Sequence, residues 1–144
     1  MKSYFLDVNV WVALAWRRHE HHTVAAAWFD RLEREPVYFC RFTQLAFLRL
    51  LTNSSVMGED TKTQIESWNR YDQLLGDERV FFLAEPDKED FEHAFRKLTS
   101  KAQRSSRDWP DAYLAAFART AGLDLVTFDR ALHKMAGPDA LLLP

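Results

Sequence analysis

The chain has 144 residues, and its 19 Lys and Arg against 21 Asp and Glu give a net charge of −2, which argues against a wholly basic nucleic-acid coat. The length is that of one ordinary domain, and the 47% of apolar residues can supply a core, so general disorder is excluded. The single cysteine, Cys40, excludes an internal disulfide and a cysteine-rich zinc site and favours a reducing compartment. We therefore expect a single domain over residues 1–144 in the cytoplasm, without a signal peptide or a membrane-spanning segment.

The order of the predicted elements indicates the fold class. Short apolar runs predict strands, and apolar residues spaced three or four apart predict helices. In chain order we predict a strand at Ser3–Val8, helices around Val10–Leu14 and Val24–Leu32, a strand at Val37–Cys40, helices at Thr43–Leu51 and about Thr61–Leu75, a strand at Val80–Leu83, helices at Phe91–Leu98 and from Pro110 to Gly122, a strand at Leu125–Phe128 and a short strand within Ala140–Leu143. This alternation predicts an α/β fold, a three-layer α/β/α domain with a mainly parallel sheet of four or five strands.

Three aspartates fall where parallel sheets place their functional sites. Asp7 ends the first strand, Asp129 follows the fourth strand and Asp111 begins a helix. Taken singly, Asp111 suits a helix start and Asp129 a turn cap, whereas Asp7, inside an apolar run, needs a partner or a cation. Gathered beyond the carboxyl ends of the strands, the carboxylates would repel one another unless a cation neutralised them. An all-oxygen ligand set favours Mg²⁺ or Mn²⁺ over Zn²⁺ and is typical of phosphodiester hydrolysis.

Three segments contain these aspartates: FLDVNVW (Phe5–Trp11), DAYLAAFA (Asp111–Ala118) and LVTFD (Leu125–Asp129). In this order and at roughly this spacing they resemble the PIN-domain family, and within it the ribonuclease toxins of VapBC-type toxin–antitoxin modules. The resemblance implies a PIN-like fold and a metal-dependent endoribonuclease. It also implies that Asp7, Asp111 and Asp129 are the catalytic and metal-binding residues for Mg²⁺ or Mn²⁺, and that Asn9 and Thr127 support them.

One position departs from the family pattern. Where the family usually has a glutamate early in the helix after the second strand, Gln44 stands in the apparent position. An amide offers a carbonyl oxygen but no charge, so weaker cation binding is expected, and the number of metal ions, one or two, stays open. Gln44 either contributes to a metal site or forms a local hydrogen bond near Asp7. The missing glutamate also leaves an alternative function, a catalytically weak or silent PIN-like module that binds RNA or an antitoxin.

A basic segment without any acid precedes Asp111. It carries Arg96, Lys97, Lys101, Arg104 and Arg107. The segment is either a solvated face or a contact surface for the phosphates of RNA, in which case Lys101, Arg104 and Arg107 are the candidate RNA-binding residues. Asp108 is interpreted as an N-cap or loop residue that Pro110 separates from the helix of Asp111, and it is a further candidate supporting residue.

The resemblance also implies partners: an RNA substrate and a small cognate antitoxin. The early helices, which carry Trp11, Trp16 and Trp28, are expected to contact the antitoxin. A homodimer is possible by analogy, and no membrane partner is expected. The adjacent histidines in His19–His22 are interpreted as a solvated loop, because a zinc site needs convergent ligands at suitable spacing.

Overall fold

The computed structural model describes residues 1–144, and five strands lie side by side in one sheet. The strands are β1 (Tyr4–Leu6), β2 (Val37–Phe39), β3 (Val80–Phe82), β4 (Asp124–Thr127) and β5 (Leu141–Leu142). Their spatial order is β3-β2-β1-β4-β5, and every adjacent pair is parallel. β1 is therefore the central strand, and all five carboxyl ends point to the same edge of the sheet.

Eight helices surround this sheet. They are α1 (Val8–Ala15), α2 (His22–Asp30), α3 (Arg41–Leu51), α4 (Ser54–Met57), α5 (Gln64–Leu75), α6 (Lys88–Leu98), α7 (Asp108–Ala121) and α8 (Arg130–Ala136), with a 3₁₀ turn at Gly58–Asp60. None of these helices has the length and apolar character needed to cross a membrane.

The helices form two layers, one on each face of the sheet. Side chains alternate along a strand, so Leu6 of β1 packs in a core formed with α1, α2, α3 and α5, while Phe5 packs in a second core formed with α6, α7 and α8. The first core includes Trp11 stacked on Phe39, with ring centroids 3.7 Å apart, and the second includes Phe5 stacked on Phe117 at 4.6 Å. The predicted three-layer α/β/α architecture with a parallel sheet is confirmed.

Several element boundaries differ from the sequence prediction. β1 ends at Leu6 because the side chain of Asp7 accepts the amide of Val8 and caps α1. The short helices α4 and α8 lie outside the predicted set, since each is too short to show a clear apolar period. The C-terminal stop of α7 is confirmed: Gly122 adopts φ +70°, a left-handed conformation that glycine tolerates best.

The prediction that Pro110 separates Asp108 from the helix of Asp111 is wrong. Asp108 is the first residue of α7, Pro110 is the third, and Asp111 follows in the same helix. Proline fits there because an amide in the first turn of a helix has no intrahelical acceptor to lose. Asp108 and Asp111, three residues apart, therefore share one face of α7.

The histidine segment is packed more closely than a solvated loop. The Nδ1 atom of His22 lies 2.7 Å from the carbonyl oxygen of Ala13, and the His21 ring stacks on Phe128 at 4.5 Å. The Nδ1 atom of His19 accepts the amide of His21 at 3.0 Å. These contacts fix the turn between α1 and α2, and no histidine there belongs to a group that could hold a metal ion.

Candidate active site at the carboxyl edge of the sheet

Asp7 lies at the carboxyl end of the central strand and is only 6% exposed. β1 pairs with β4 so that Leu6 lies opposite Val126, and the next residues, Asp7 and Thr127, are therefore neighbours. The Thr127 hydroxyl donates to Asp7 Oδ2 at 2.8 Å, and the Val8 amide donates to Oδ1 at 2.7 Å. Burial raises the pKa of Asp7, these two hydrogen bonds partly oppose that effect, and the charge of Asp129 raises it further.

Thr127 connects Asp7 to Asp129. Its hydroxyl oxygen donates to Asp7 and accepts the backbone amide of Asp129 at 2.9 Å, and Thr127 itself is completely buried. The Asp129 side chain caps α8, because its Oδ1 accepts the amides of Ala131 and Leu132. Asp129 is thus the cap that its sequence position suggested and also a carboxylate at the sheet edge. Thr127 therefore positions Asp7 and Asp129 through one hydroxyl group.

Asp111 completes the acidic cluster, which we define as Asp7, Asp108, Asp111 and Asp129. The pKa of Asp111 is raised from 3.8 to about 6, first by burial and then by the charges of Asp129, Asp7 and Asp108, while Arg107 opposes the shift. Residues more than 100 positions apart in the sequence therefore interact electrostatically at one edge of the sheet. The structure brings the three predicted catalytic aspartates together.

The acidic cluster does not have the geometry of a complete metal site. No group of three or more His, Cys, Asp or Glu side chains is arranged so that it could hold a metal ion. Asp7 uses both carboxylate oxygens in hydrogen bonds, and Asp129 uses Oδ1 for capping. The cluster therefore concentrates negative charge without forming a closed cage of ligands.

Gln44 lies in the first turns of α3 and is 7% exposed. Its Oε1 accepts a hydrogen bond from Arg41 Nη1 at 2.6 Å, and no hydrogen bond joins it to Asp7. Burial raises the pKa of Tyr71, and a hydrogen bond with Gln44 opposes that effect. The side-chain oxygen of Gln44 is thus directed to a cation of its own helix.

The other predicted residues surround the cluster to different degrees. Asn9 is exposed on the first turn of α1 and makes no side-chain hydrogen bond. Lys101 lies 3.7 Å from Asp108, and Arg107 is close enough to Asp111 to lower its pKa. Arg104 is exposed and forms no ion pair. Two of the three candidate basic residues, Lys101 and Arg107, therefore interact with carboxylates of the acidic cluster.

Sequence reasoning missed Arg41. Arg41 is the first residue of α3, stands three residues before Gln44 and has its guanidinium carbon 4.8 Å from the centre of the Phe82 ring. The spacing of three on a helix was a signal that could have linked Arg41 to Gln44. The contact with Phe82 was not readable from the sequence, because Phe82 lies on a different element, β3, far along the chain from Arg41.

Comparisons with known proteins agree with this architecture. The PIN domain family matches residues 4–138. Ribonuclease VapC41 of Mycobacterium tuberculosis is 41% identical over 142 residues, which cover 95% of this chain and 96% of that protein. Ribonuclease VapC39 of the same organism is 30% identical over 138 residues, which cover 91% of each chain.

Solved structures show the same fold at lower sequence identity. The crystal structure of Mycobacterium tuberculosis VapC20, described as a sarcin-ricin loop cleaving toxin, matches with a TM-score of 0.70 and 17% identity and covers 99% of this chain and 100% of that one. VapBC2 from Rickettsia felis, bound to a DNA fragment from its promoter, matches with a TM-score of 0.67 and 15% identity and covers 96% of each chain. With the fold, the acidic cluster and the sequence identity in agreement, the chain belongs to the PIN-domain family and, within it, to the VapC ribonucleases.

Proposed function

We propose that the acidic cluster hydrolyses phosphodiester bonds in single-stranded or looped RNA with the help of Mg²⁺ or Mn²⁺, and that Asp7, Asp111 and Asp129 are the catalytic residues. The observation that supports this most is the convergence of Asp7, Asp111 and Asp129 at the carboxyl edge of the sheet, where burial and the other carboxylates raise the pKa of Asp111 to about 6. Perturbed carboxylates gathered in one place are typical of functional sites, because a stable fold alone gains nothing from their repulsion.

The donor set fits a hard divalent cation that keeps several water ligands. Mg²⁺ commonly binds proteins through only one or two carboxylates and completes its shell with water and substrate phosphate, so a closed cage of ligands is not required. The carboxylate of Asp111 accepts no hydrogen bond, and Asp129 Oδ2 is not used in capping, so these two side chains have oxygens free for an ion. Such an ion, when bound, activates water and offsets charge on the phosphate oxygens.

The chain's own residues position these carboxylates. Thr127 orients Asp7 and Asp129 through one hydroxyl, and its hydrogen bond to Asp7 opposes the rise that burial causes in the pKa of Asp7. Arg107 lowers the pKa of Asp111 and, with Lys101, is suited to contact phosphates beside the cleaved bond. Asn9 and Asp108 are proposed as supporting residues at the rim. Gln44 is proposed as a supporting residue through its hydrogen bond with Arg41.

We also propose that the protein is the toxin of a cytoplasmic toxin–antitoxin pair and that a small antitoxin covers the site. VapBC-1 from nontypeable Haemophilus influenzae and FitAB bound to DNA are among the solved structures that this chain resembles in fold. An antitoxin arginine or lysine could neutralise the acidic cluster in place of a cation. On the early helices, Trp16 and Trp28 are half-buried and available for contact, whereas Trp11 is completely buried and is not.

The proposal is tested by incubating the purified protein with single-stranded RNA. We expect cleavage that requires Mn²⁺ or Mg²⁺, stops in EDTA and leaves 5′-phosphate and 3′-hydroxyl ends, since an activated water rather than the RNA 2′-hydroxyl attacks the phosphorus. The same preparation carrying Asp7→Asn is the control for a contaminating nuclease. Undiminished cutting in EDTA, or 2′,3′-cyclic phosphate ends, would refute the mechanism.

A further inference from the structure

We propose that Arg41 binds a phosphate of single-stranded RNA next to the acidic cluster, and that Gln44 is a positioning residue that holds Arg41 there without neutralising its charge. This inference rests on the proposed function, because it assigns a binding subsite for the same RNA strand. It gives Gln44 a role different from that of a metal-ligating glutamate.

The register of the sheet places Arg41 beside the site. Phe5 of β1 lies opposite Tyr38 of β2, so Asp7 and Cys40 stand level at the carboxyl ends of neighbouring strands. Neighbouring strands are about 4.8 Å apart, and Arg41 follows Cys40 directly. The start of α3 therefore borders the carboxyl edge of the sheet next to Asp7, within reach of an RNA strand bound there.

Two contacts from different elements orient the Arg41 side chain. Nη1 donates to Gln44 Oε1 at 2.6 Å, and the guanidinium lies over the Phe82 ring, 4.8 Å from its centre. The hydrogen bond uses one N–H of a planar group that carries several, so donors remain for a phosphate. Arg41 is exposed to solvent in spite of these contacts. The guanidinium is thus fixed in direction and accessible to solvent.

The charge of Arg41 is not compensated. Six ion pairs occur in the structure, and none includes Arg41, whereas Lys101 is paired with Asp108 of the acidic cluster. Gln44 is neutral, and a glutamate at the same position would form an ion pair with Arg41. The acidic cluster repels the RNA backbone, so an uncompensated cation at its border supplies the attraction that the carboxylates cannot.

Exposed aromatic rings next to Arg41 favour a single strand over a duplex. Phe42 is 37% exposed and Phe82 is 38% exposed, although both are large apolar side chains. The Phe42 ring lies 5.2 Å from Tyr113, which stands on α7 two residues after Asp111. Single-stranded RNA offers unpaired bases that stack on such rings, whereas a duplex hides the faces of its bases.

The test measures RNA binding in EDTA, where no cleavage is expected, by the fluorescence anisotropy of a labelled, mixed-sequence single-stranded RNA at several salt concentrations. We expect Arg41→Gln to weaken binding about tenfold and to reduce the slope of log affinity against log salt by about 0.7, the value for one phosphate contact on a single strand. Arg41→Lys should keep the slope and lose part of the affinity, because an ammonium keeps the charge but not the planar fork. Gln44→Glu should reduce the slope as Arg41→Gln does.

The control is Arg34→Gln, which removes an exposed arginine before the amino end of β2 and should change neither value. If Arg41→Gln keeps the wild-type slope, or if Gln44→Glu binds RNA as wild type does, the assignment is overturned. If Arg41→Gln folds poorly, Arg41→Lys and Gln44→Glu still test whether Arg41 binds a phosphate. RNA cleavage by the wild type in Mn²⁺ together with equal binding by the Arg41 and Arg34 variants would remove only this inference. Absence of RNA cleavage by the wild type in Mn²⁺ or Mg²⁺ would remove the proposed function itself.

Discussion

Two explanations of the role of Asp111 predict stability changes of opposite sign when Asp111 is replaced by asparagine. If Asp111 is only an acidic residue in the first turn of α7, then Asp111→Asn removes a favourable interaction with the helix dipole and lowers stability by about 0.3–1 kcal/mol. If Asp111 belongs to a repulsive cluster, then the same change removes repulsion and raises the stability of the metal-free protein.

The pKa gives the expected magnitude. A shift from 3.8 to about 6 is about two pKa units, which corresponds to about 3 kcal/mol of unfavourable free energy for the ionised form. Asp111 is half-buried, so solvent screening reduces this to about 1.5 kcal/mol, and the lost dipole interaction reduces it further. We expect Asp111→Asn to be about 1 kcal/mol more stable than wild type near pH 8, or about 3 °C in Tm.

The pH dependence has a definite direction. The folded pKa of Asp111 lies above its unfolded value, so the protonated carboxyl favours folding, and this contribution is lost as pH rises from about 4 through about 6. The advantage of Asp111→Asn should therefore be absent below about pH 4 and complete above about pH 7.

Urea unfolding in EDTA at a series of pH values measures this difference. Asp90→Asn is the matched control, since Asp90 is an exposed acid in the first turn of α6 and lies outside the acidic cluster. It should lose stability slightly at neutral pH. The cluster explanation is refuted if Asp111→Asn behaves as Asp90→Asn does. Added Mn²⁺ should stabilise wild type more than Asp111→Asn, because an ion that binds only the folded state raises its stability.

Three further outcomes are expected. Thr127→Val should lower stability by about 2–4 kcal/mol, because it removes the hydrogen-bond partner of Asp7 Oδ2 and of the Asp129 amide. Thr127→Ser should retain most of the stability, and a loss below about 1 kcal/mol for Thr127→Val in urea unfolding would contradict this role. Asp7→Asn should abolish RNA cleavage and weaken Mn²⁺ binding in calorimetry. The same variant should have a higher Tm than wild type in EDTA at neutral pH, because burial raises the pKa of Asp7 and its ionised form therefore opposes folding. A lower Tm would count against this explanation. Arg79→Lys should lower stability by about 2–3 kcal/mol without changing the cleavage activity per folded molecule. The guanidinium of Arg79 pairs with Asp77 and also donates to the carbonyl oxygens of Phe29 and Leu32, a set of contacts that an ammonium cannot match. Unchanged stability would show that these contacts contribute little.

Local sequence was sufficient where the signal lay within a few residues. The apolar run before Asp7 predicts a buried strand, and Gly122 after the apolar period of α7 predicts the end of that helix. Asp7 and Asp129 each cap the helix that follows them, which is again a short-range effect of one side chain on nearby amides. Such features depend on neighbouring residues only, so the fold class could be predicted from the strand and helix order.

The three-dimensional arrangement decided everything that depends on distant residues. The order of the strands places β4 beside β1, so Thr127 reaches Asp7 across 120 positions of sequence. The raised pKa of Asp111 requires the charges of other elements at short range, which spacing along the chain cannot supply. The sequence by itself determined which carboxylates, amides and cations were present and which local elements carried them. The hydrogen bond between Gln44 and Arg41 is itself local, because the two residues stand three apart on α3. Only the packing of the elements decided that Arg41 lies over Phe82, because that contact requires β3 to pair with β2 in the folded sheet.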